Sequence, residues 1–303
     1  MEAIRADGDR SAGALRSKMP GHSGRAAIVW RRFRRNRLAA VGAAGVALLV
    51  LLAACAPAVA PHDPLYIDMA NKFALPGHGG FLLGGDELGR DVFSRLLYAG
   101  RVSLSVGLMT AVITVVAGSI LGALAGHYGG VLDVAIMRLV DVLLSMPTIF
   151  VLLGLSAFLR PNMFTITLII GSTSWMAVAR LVRGQILSIK QQEFIAAARA
   201  IGSTDRRVIF RELLPNALAP VLVAATLNVA TAILLESSLS YLGYGIQPPT
   251  ASWGNMLNNA QTYVFTAPWA AVYPGLMITL TVLSFNFAGD GLRDALDPRL
   301  TLA

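Results

Sequence analysis

The side chains of this chain whose types and spacing could carry chemistry are charges set inside apolar runs. Asp133, Arg138 and Asp141 share one such run and Glu236 lies late in another. Charges there are expensive in lipid and must face protein or water. Arg138 and Asp141 are three residues apart and can pair on one helix face. Two readings follow for them: a structural ion pair near one end of a span, or, together with Glu236, groups that line or gate a pathway. Other chemistries find little support. His22, His62, His78 and His127 lack the close spacing of a zinc helix motif, and Cys55 is the single cysteine, so neither a metal nor a disulfide framework is expected within the chain. No GxxxxGK[ST] loop exists and lysine occurs only at Lys18, Lys72 and Lys190, so the chain is not expected to bind or hydrolyse ATP. No nucleophile, base and orienting group converge in the sequence, which speaks for a non-catalytic chain.

The elements that would position these charges are membrane spans. Hydrophobic residues make up 55% of the 303 positions and charged residues 14%, far from the roughly 25% charge of soluble domains. An all-α, polytopic membrane protein is expected. Apolar length places about six spans, at residues 38–60, 102–126, 131–158, 163–181, 218–242 and 269–288, since a crossing needs about 20 residues. Pro147 should kink or open the third of them. Residues 1–37 form a polar tail ending in Trp30-Arg31-Arg32-Phe33-Arg34-Arg35-Asn36-Arg37, read as a topology anchor rather than a specific lipid or nucleic-acid site. The net charge of +8 belongs to residues flanking apolar runs, so membrane lipid and not nucleic acid is the expected neighbour. With the first tail cytoplasmic, the cytoplasmic segments hold nineteen Lys and Arg and the opposite side five, which places both termini inside. Leu52-Ala53-Ala54-Cys55 looks like a lipoprotein cleavage box, yet the preceding tail is long for a signal peptide and everything downstream is membrane-embedded.

One polar island, residues 193–216, stands out. Glu193 suits a helix N-terminus, and Ala196, Ala197, Ala198 and Ala200 favour helix while leaving the backbone approachable. Gly202 supplies a bend, and Ser203, Thr204 or Asp205 can cap a second helix bearing Arg206, Arg207 and Arg211, which should stop near Leu214-Pro215. Glu193, the alanine cluster, Gly202 and Leu214-Pro215-Asn216 together resemble the EAA loop of ABC-importer permeases, the segment that docks on a cytoplasmic ATPase. Three further stretches extend the resemblance in the same order. Residues 83–95 resemble LGTDxLGRDxxSR with Gly85 where Thr is usual, residues 240–257 resemble LSFLGLGVQPPTPSWGxML, and residues 289–299 resemble GDxLRDxLDPR. The family is that of the dipeptide, oligopeptide and nickel permeases, and the subunit type is their second, C-type permease.

The resemblance implies a type I importer permease fold in a bacterial inner membrane. Its divisions would be a cytoplasmic tail (1–37), a first span (38–60), an external loop (61–101), a permease domain (102–290) with a coupling loop (184–216), and a C-terminal tail (291–303). It also implies partners: a homologous second permease, two ATPases that carry ATP and Mg2+, and an external solute-binding protein. Glu193 would orient the coupling helix, Ala197 and Ala198 would allow close docking, and Gly202 would set the bend. Arg206 and Arg207 would meet acidic residues of the ATPase or act as positive-inside charges, and Leu214 and Pro215 would close the segment. Di- or oligopeptide is the expected cargo, with nickel chelates, glutathione or another small solute as alternatives. An ion-coupled secondary transporter is the remote rival, for which no internal repeat is visible.

Overall fold

The computed structural model describes residues 25–296, and the regular elements among these are helices: α1 (Arg25–Arg35), α2 (Arg37–Ala54), α3 (Ala56–Val59), α4 (Val92–Tyr128), α5 (Gly130–Leu144), α6 (Thr148–Phe158), α7 (Met163–Ile189), α8 (Glu193–Ala200), α9 (Asp205–Tyr241), α10 (Trp253–Ala260) and α11 (Pro268–Leu296). Among the described residues five helices are long and apolar enough to cross a membrane, or six if α5 and α6 count as one broken span. Asp297, Pro298 and Arg299 of the C-terminal motif, and the tail before Arg25, lie outside the described residues.

Helix α4 is the axis of the bundle. It packs along α7, α9 and α2, while α11 lies against α2 and α9. The α4–α7 seam is built on glycine: Gly118, Gly122 and Gly126 recur every fourth residue and so share one helix face. A Cβ at Gly118 would fall 2.7 Å from Val178 Cβ, and one at Gly126 would fall 2.9 Å from Ile186 Cβ. Without a hydrophobic drive between helices in lipid, such close backbone approach is what dispersion attraction requires. Val178, Val182 and Ile186 are buried along this seam, whereas Leu108, Val112 and Val116 point outward from α4 as lipid-facing residues do.

Several boundaries differ from the sequence-based expectation. Residues 92–101, read as loop, are helical, because Asp91 caps α4 by accepting from the Phe93 and Ser94 amides and the Ser94 hydroxyl. The charges that suggested loop are neutralised by one another: Asp86 accepts from the Arg90 and Leu88 amides and from Arg90 Nε (2.7 Å), Glu87 takes Arg90 Nη2 (2.7 Å), and Arg95 Nε stands 3.3 Å from Asp86. The end of the expected tail is also structured. It forms α1, which packs on α11, and Asn36 caps α2 while donating to Asp294 (3.3 Å).

The run at 131–158 is not one straight helix: α5 and α6 are bent by 89° about residues 145–147. Ser145 Oγ donates to the Val142 carbonyl (2.7 Å), and Pro147 can neither donate nor leave Met146 comfortably helical. Pro215 has the opposite outcome. The helix expected to stop there continues to Tyr241, because Val208–Leu213 is wound as a π-helix in which the Leu214 amide reaches Ile209 rather than residue 210. The widened turn moves aside the carbonyl that the proline ring would strike.

Candidate functional site

The polar island folds as a helical hairpin on the end of the bundle where α4 and α7 terminate. Helix α8 starts at Glu193, with its carboxylate in the first turn where the helix dipole favours it. It ends in a Schellman turn: the Gly202 amide donates to the Arg199 carbonyl (2.9 Å), the Ser203 amide donates to the Ala198 carbonyl (3.1 Å), and Gly202 has φ +82°. Glycine accepts that conformation without strain, asparagine at some cost, and a β-branched residue poorly. Thr204 stands at the N-cap of α9, though its hydroxyl makes no capping bond.

The hairpin has two faces of opposite character. Ile195, Val208, Ile209 and Leu213 are buried in one apolar cluster with Ala123 of α4, Val182 and Ile186 of α7, and Ala217 and Val221 of α9. The other face presents Glu193, Ala196, Ala197, Ala200, Arg206 and Arg207 to the surroundings, together with Phe194, Ile201 (82% exposed) and Phe210. Ala198 and Leu214 are half-buried at the border and Pro215 is exposed. Exposed Phe194, Ile201 and Phe210 thus share the hairpin with exposed arginines, while its base is firmly packed.

The intramembrane charges are arranged differently from the expectation. Arg138 and Asp141 do not pair. Arg180 donates to Asp141 (2.7 Å) and Arg183 donates to Asp133 through Nε and Nη2 (2.6 Å), so both bonds join α5 to α7, and Arg138 is exposed, with no ion-pair partner among the described residues. The antiparallel run of α5 past α7 brings the arginines within reach of both carboxylates, which proximity along one helix could not reveal. These pairs sit beside the hairpin, at the end of α7 that leads into it.

Glu236 is fully buried and lines no open path in this structure. Its carboxylate accepts from Ser103 Oγ of α4 (3.0 Å) and Ser240 Oγ of α9 (2.7 Å). Ser103 Oγ accepts the Trp253 amide (3.3 Å), Ser240 Oγ accepts the Ile246 amide (3.2 Å), and Trp253 Nε1 donates to the Leu96 carbonyl (3.1 Å). Residues 242–260 are therefore tucked between α4, α9 and α11, with α10 opened by a Ser252–Asn255 capping box. Ser103 is the member of this junction that the sequence did not single out; Trp253 and Asn255 fall in the 240–257 stretch, which the sequence marked without giving either residue a role. Replacing Glu236 with leucine is expected to cost about 2–3 kcal/mol by stranding the Ser103 and Ser240 hydroxyls, and with glutamine about half as much. Thermal unfolding of the detergent-purified subunit checks both.

The profile described as "Binding-protein-dependent transport system inner membrane component" matches residues 118–302, and "N-terminal TM domain of oligopeptide transport permease C" matches residues 25–76. The chain belongs to this family of transport permeases. Among its relatives, the dipeptide transport system permease protein DppC of Bacillus subtilis is 40% identical over 272 residues, covering 89% of this chain and 85% of that one. The oligopeptide permease OppC of the same organism is 39% identical, covering 89% and 88%. The glutathione transport system permease protein GsiD of Escherichia coli O6:K15:H31 is 43% identical, covering 89% of each. In fold the permease is similar to inward-facing structures of the MetNI methionine ABC transporter, with TM-score 0.55 and 21% identity, over 68% of this chain and 97% of that one. The permease is thus a membrane subunit of an ATP-binding-cassette importer, and the family implies ATPase, substrate-binding and second-permease partners. Among its described residues no cluster of three or more His, Cys, Asp or Glu could hold a metal ion.

Proposed function

We propose that this subunit forms half of a translocation pathway for di- or oligopeptides and is driven through the α8–α9 hairpin by ATPases bound to its exposed face. The observation that carries the reading is the two-faced hairpin: Ile195, Val208 and Leu213 lock it to the bundle, while Phe194, Ile201, Phe210, Ala197 and the arginines remain open. A displacement applied to the open face is then passed towards α4, α7 and α9, against which the hairpin packs, and the two permease chains would alternate between inward-open and outward-open arrangements. Glu193 orients α8, Ala197 and Ala198 let the partner surface approach, Gly202 holds the bend, Arg206 and Arg207 meet acidic residues of the ATPase, and Leu214 and Pro215 carry the first turns of α9 into its membrane span. ATP and Mg2+ are bound by the ATPases, not by this chain. The hairpin and both termini face the cytoplasm, and residues 61–91 and 242–260 face the binding protein. The α5–α7 ion pairs and the Glu236 junction hold the pathway helices in register at its two ends. Dipeptide and oligopeptide permeases among the relatives support peptide as cargo, and the 43% identity to a glutathione permease favours glutathione as the second reading.

Uptake into membrane vesicles containing the complete importer tests the proposal. Accumulation of labelled dipeptide should require ATP and persist when a protonophore collapses the proton gradient; loss on collapse with ATP present would point to ion coupling instead. Sidedness is read separately. In a Cys55→Ser background, a cysteine at Ser203 should resist an impermeant maleimide in intact cells and react in inverted vesicles.

A further inference from the structure

His127, the penultimate residue of α4, belongs to none of the sites above, yet it is gripped from both sides of the hairpin. Its side chain is 2% exposed and its Nε2 lies 2.9 Å from Asp205 Oδ1, on the first residue of α9. Its backbone carbonyl accepts from Lys190 Nζ (2.6 Å), on the residue that closes α7 before α8 begins. The stem entering α8 and the stem leaving it therefore hold the same residue of a third helix. An ammonium over the last carbonyls of α4 also suits the negative end of that helix. Among the described residues, no other side-chain hydrogen bond ties residues 190–213 to α4, which the hairpin otherwise meets in the apolar cluster around Ala123. Apolar contacts are non-directional, whereas a hydrogen bond has a preferred distance and angle and so fixes register. The imidazole makes one polar contact only: Nδ1 is buried without a partner, and the ring is set edge-on to Tyr128 at 5.0 Å. With its proton on Nε2 the ring donates to Asp205, and that bond is all its polarity achieves.

We propose that His127 is the positioning residue through which hairpin movement is delivered to the spans. Helix α4 then acts as the push-rod. It runs unbroken from His127 to Ser103, about 36 Å at the helical rise, and Ser103 holds Glu236 and the Trp253 amide at the far end. A shift of Asp205 and Lys190 along the axis of α4 is passed to the junction beneath α10, and breaking the His127–Asp205 bond lets the hairpin move while α4 lags. This rests on the reading of the hairpin as the coupling element.

The test uses the whole importer in proteoliposomes, with radiolabelled dialanine, or glutathione if the parent complex takes only that, counted against ATP hydrolysed in the same vesicles. His127→Leu keeps volume without a donor, His127→Asn moves the donor to the δ position, and His127→Gln returns an N–H to the place of Nε2. Substrate moved per ATP is expected to fall at least fivefold in the Leu and Asn variants and to return to within twofold of the parent in the Gln variant. Parental ratios in Leu and Asn, or a Gln variant as poor as Leu, would overturn the proposal. Should the Leu variant fail to assemble with the ATPases, Asp205→Ala decides, because that side chain is mostly exposed: a fivefold lower ratio supports the link and a parental ratio rejects it. Gly202→Val in parallel separates the two claims. Loss of transport there with parental ratios in the His127 series removes only the His127 link, while normal transport there removes the coupling hairpin itself.

Discussion

Replacing Gly122 with valine should prevent the folded subunit from accumulating in the membrane. A Cβ at this position would overlap the Ala179 carbonyl oxygen and lie 2.9 Å from Val182 Cβ, so the obstacle includes backbone that cannot rotate away. Relief requires α4 and α7 to separate along the seam that Gly118 and Gly126 also form, and Val178, Val182 and Ile186 would lose their packing together. Overpacking costs about 1–3 kcal/mol where side chains can yield, and a central seam closed on backbone lies at or beyond the upper end of that range. Gly184→Ala is the matched control: it lies within α7, a Cβ there meets nothing within 4 Å, and the better helix former should be neutral or gain up to about 1 kcal/mol. Membrane abundance and thermal unfolding in detergent measure both. Wild-type abundance of the valine variant would contradict the close seam.

Gly202→Val is expected to leave the subunit in the membrane and to lower uptake at least tenfold. Here space is no obstacle, since a Cβ at this position would meet nothing within 4 Å; the obstacle is φ +82°, at which an L side chain costs about 1–2 kcal/mol and a β-branched one more. Each step of about 1.4 kcal/mol is a factor of ten in the population of the bent hairpin. Without the turn, the Ser203 amide cannot reach the Ala198 carbonyl and the angle between α8 and α9 is lost. Gly202→Asn should retain more uptake than Gly202→Val, because asparagine tolerates the left-handed region. Uptake assays beside immunoblots of the membrane fraction separate transport from insertion, and equal uptake in the two variants would show that backbone conformation is not the cause.

Much of the hairpin was legible in the sequence because its determinants are local. Glu193, the alanines and Gly202 announce helix and bend through propensity and φ, which act within a few residues, and the Schellman turn follows from them. Pro147 announced a break for the same reason, though not its 89° size, which depends on how Leu152, Ile166 and Ile170 pack α6 against α7. Pro215 misled, because a π-turn one step earlier absorbed it, and no short-range signal distinguishes that outcome from a helix end.

Taken alone, the order of residues determined that the chain is a bundle of membrane spans, where its one polar hairpin lies, and which residue turns it. It also determined, by motifs in family order, that this is an importer permease. The tertiary structure alone decided who meets whom: Asp133 and Asp141 with arginines of α7 rather than Arg138, Glu236 with Ser103 across α4, and His127 with both stems of the hairpin. Backbone preference and apolar length are written residue by residue, but a long-range partner is chosen by how helices cross. That crossing is set by the glycine seam and by packing on every side at once.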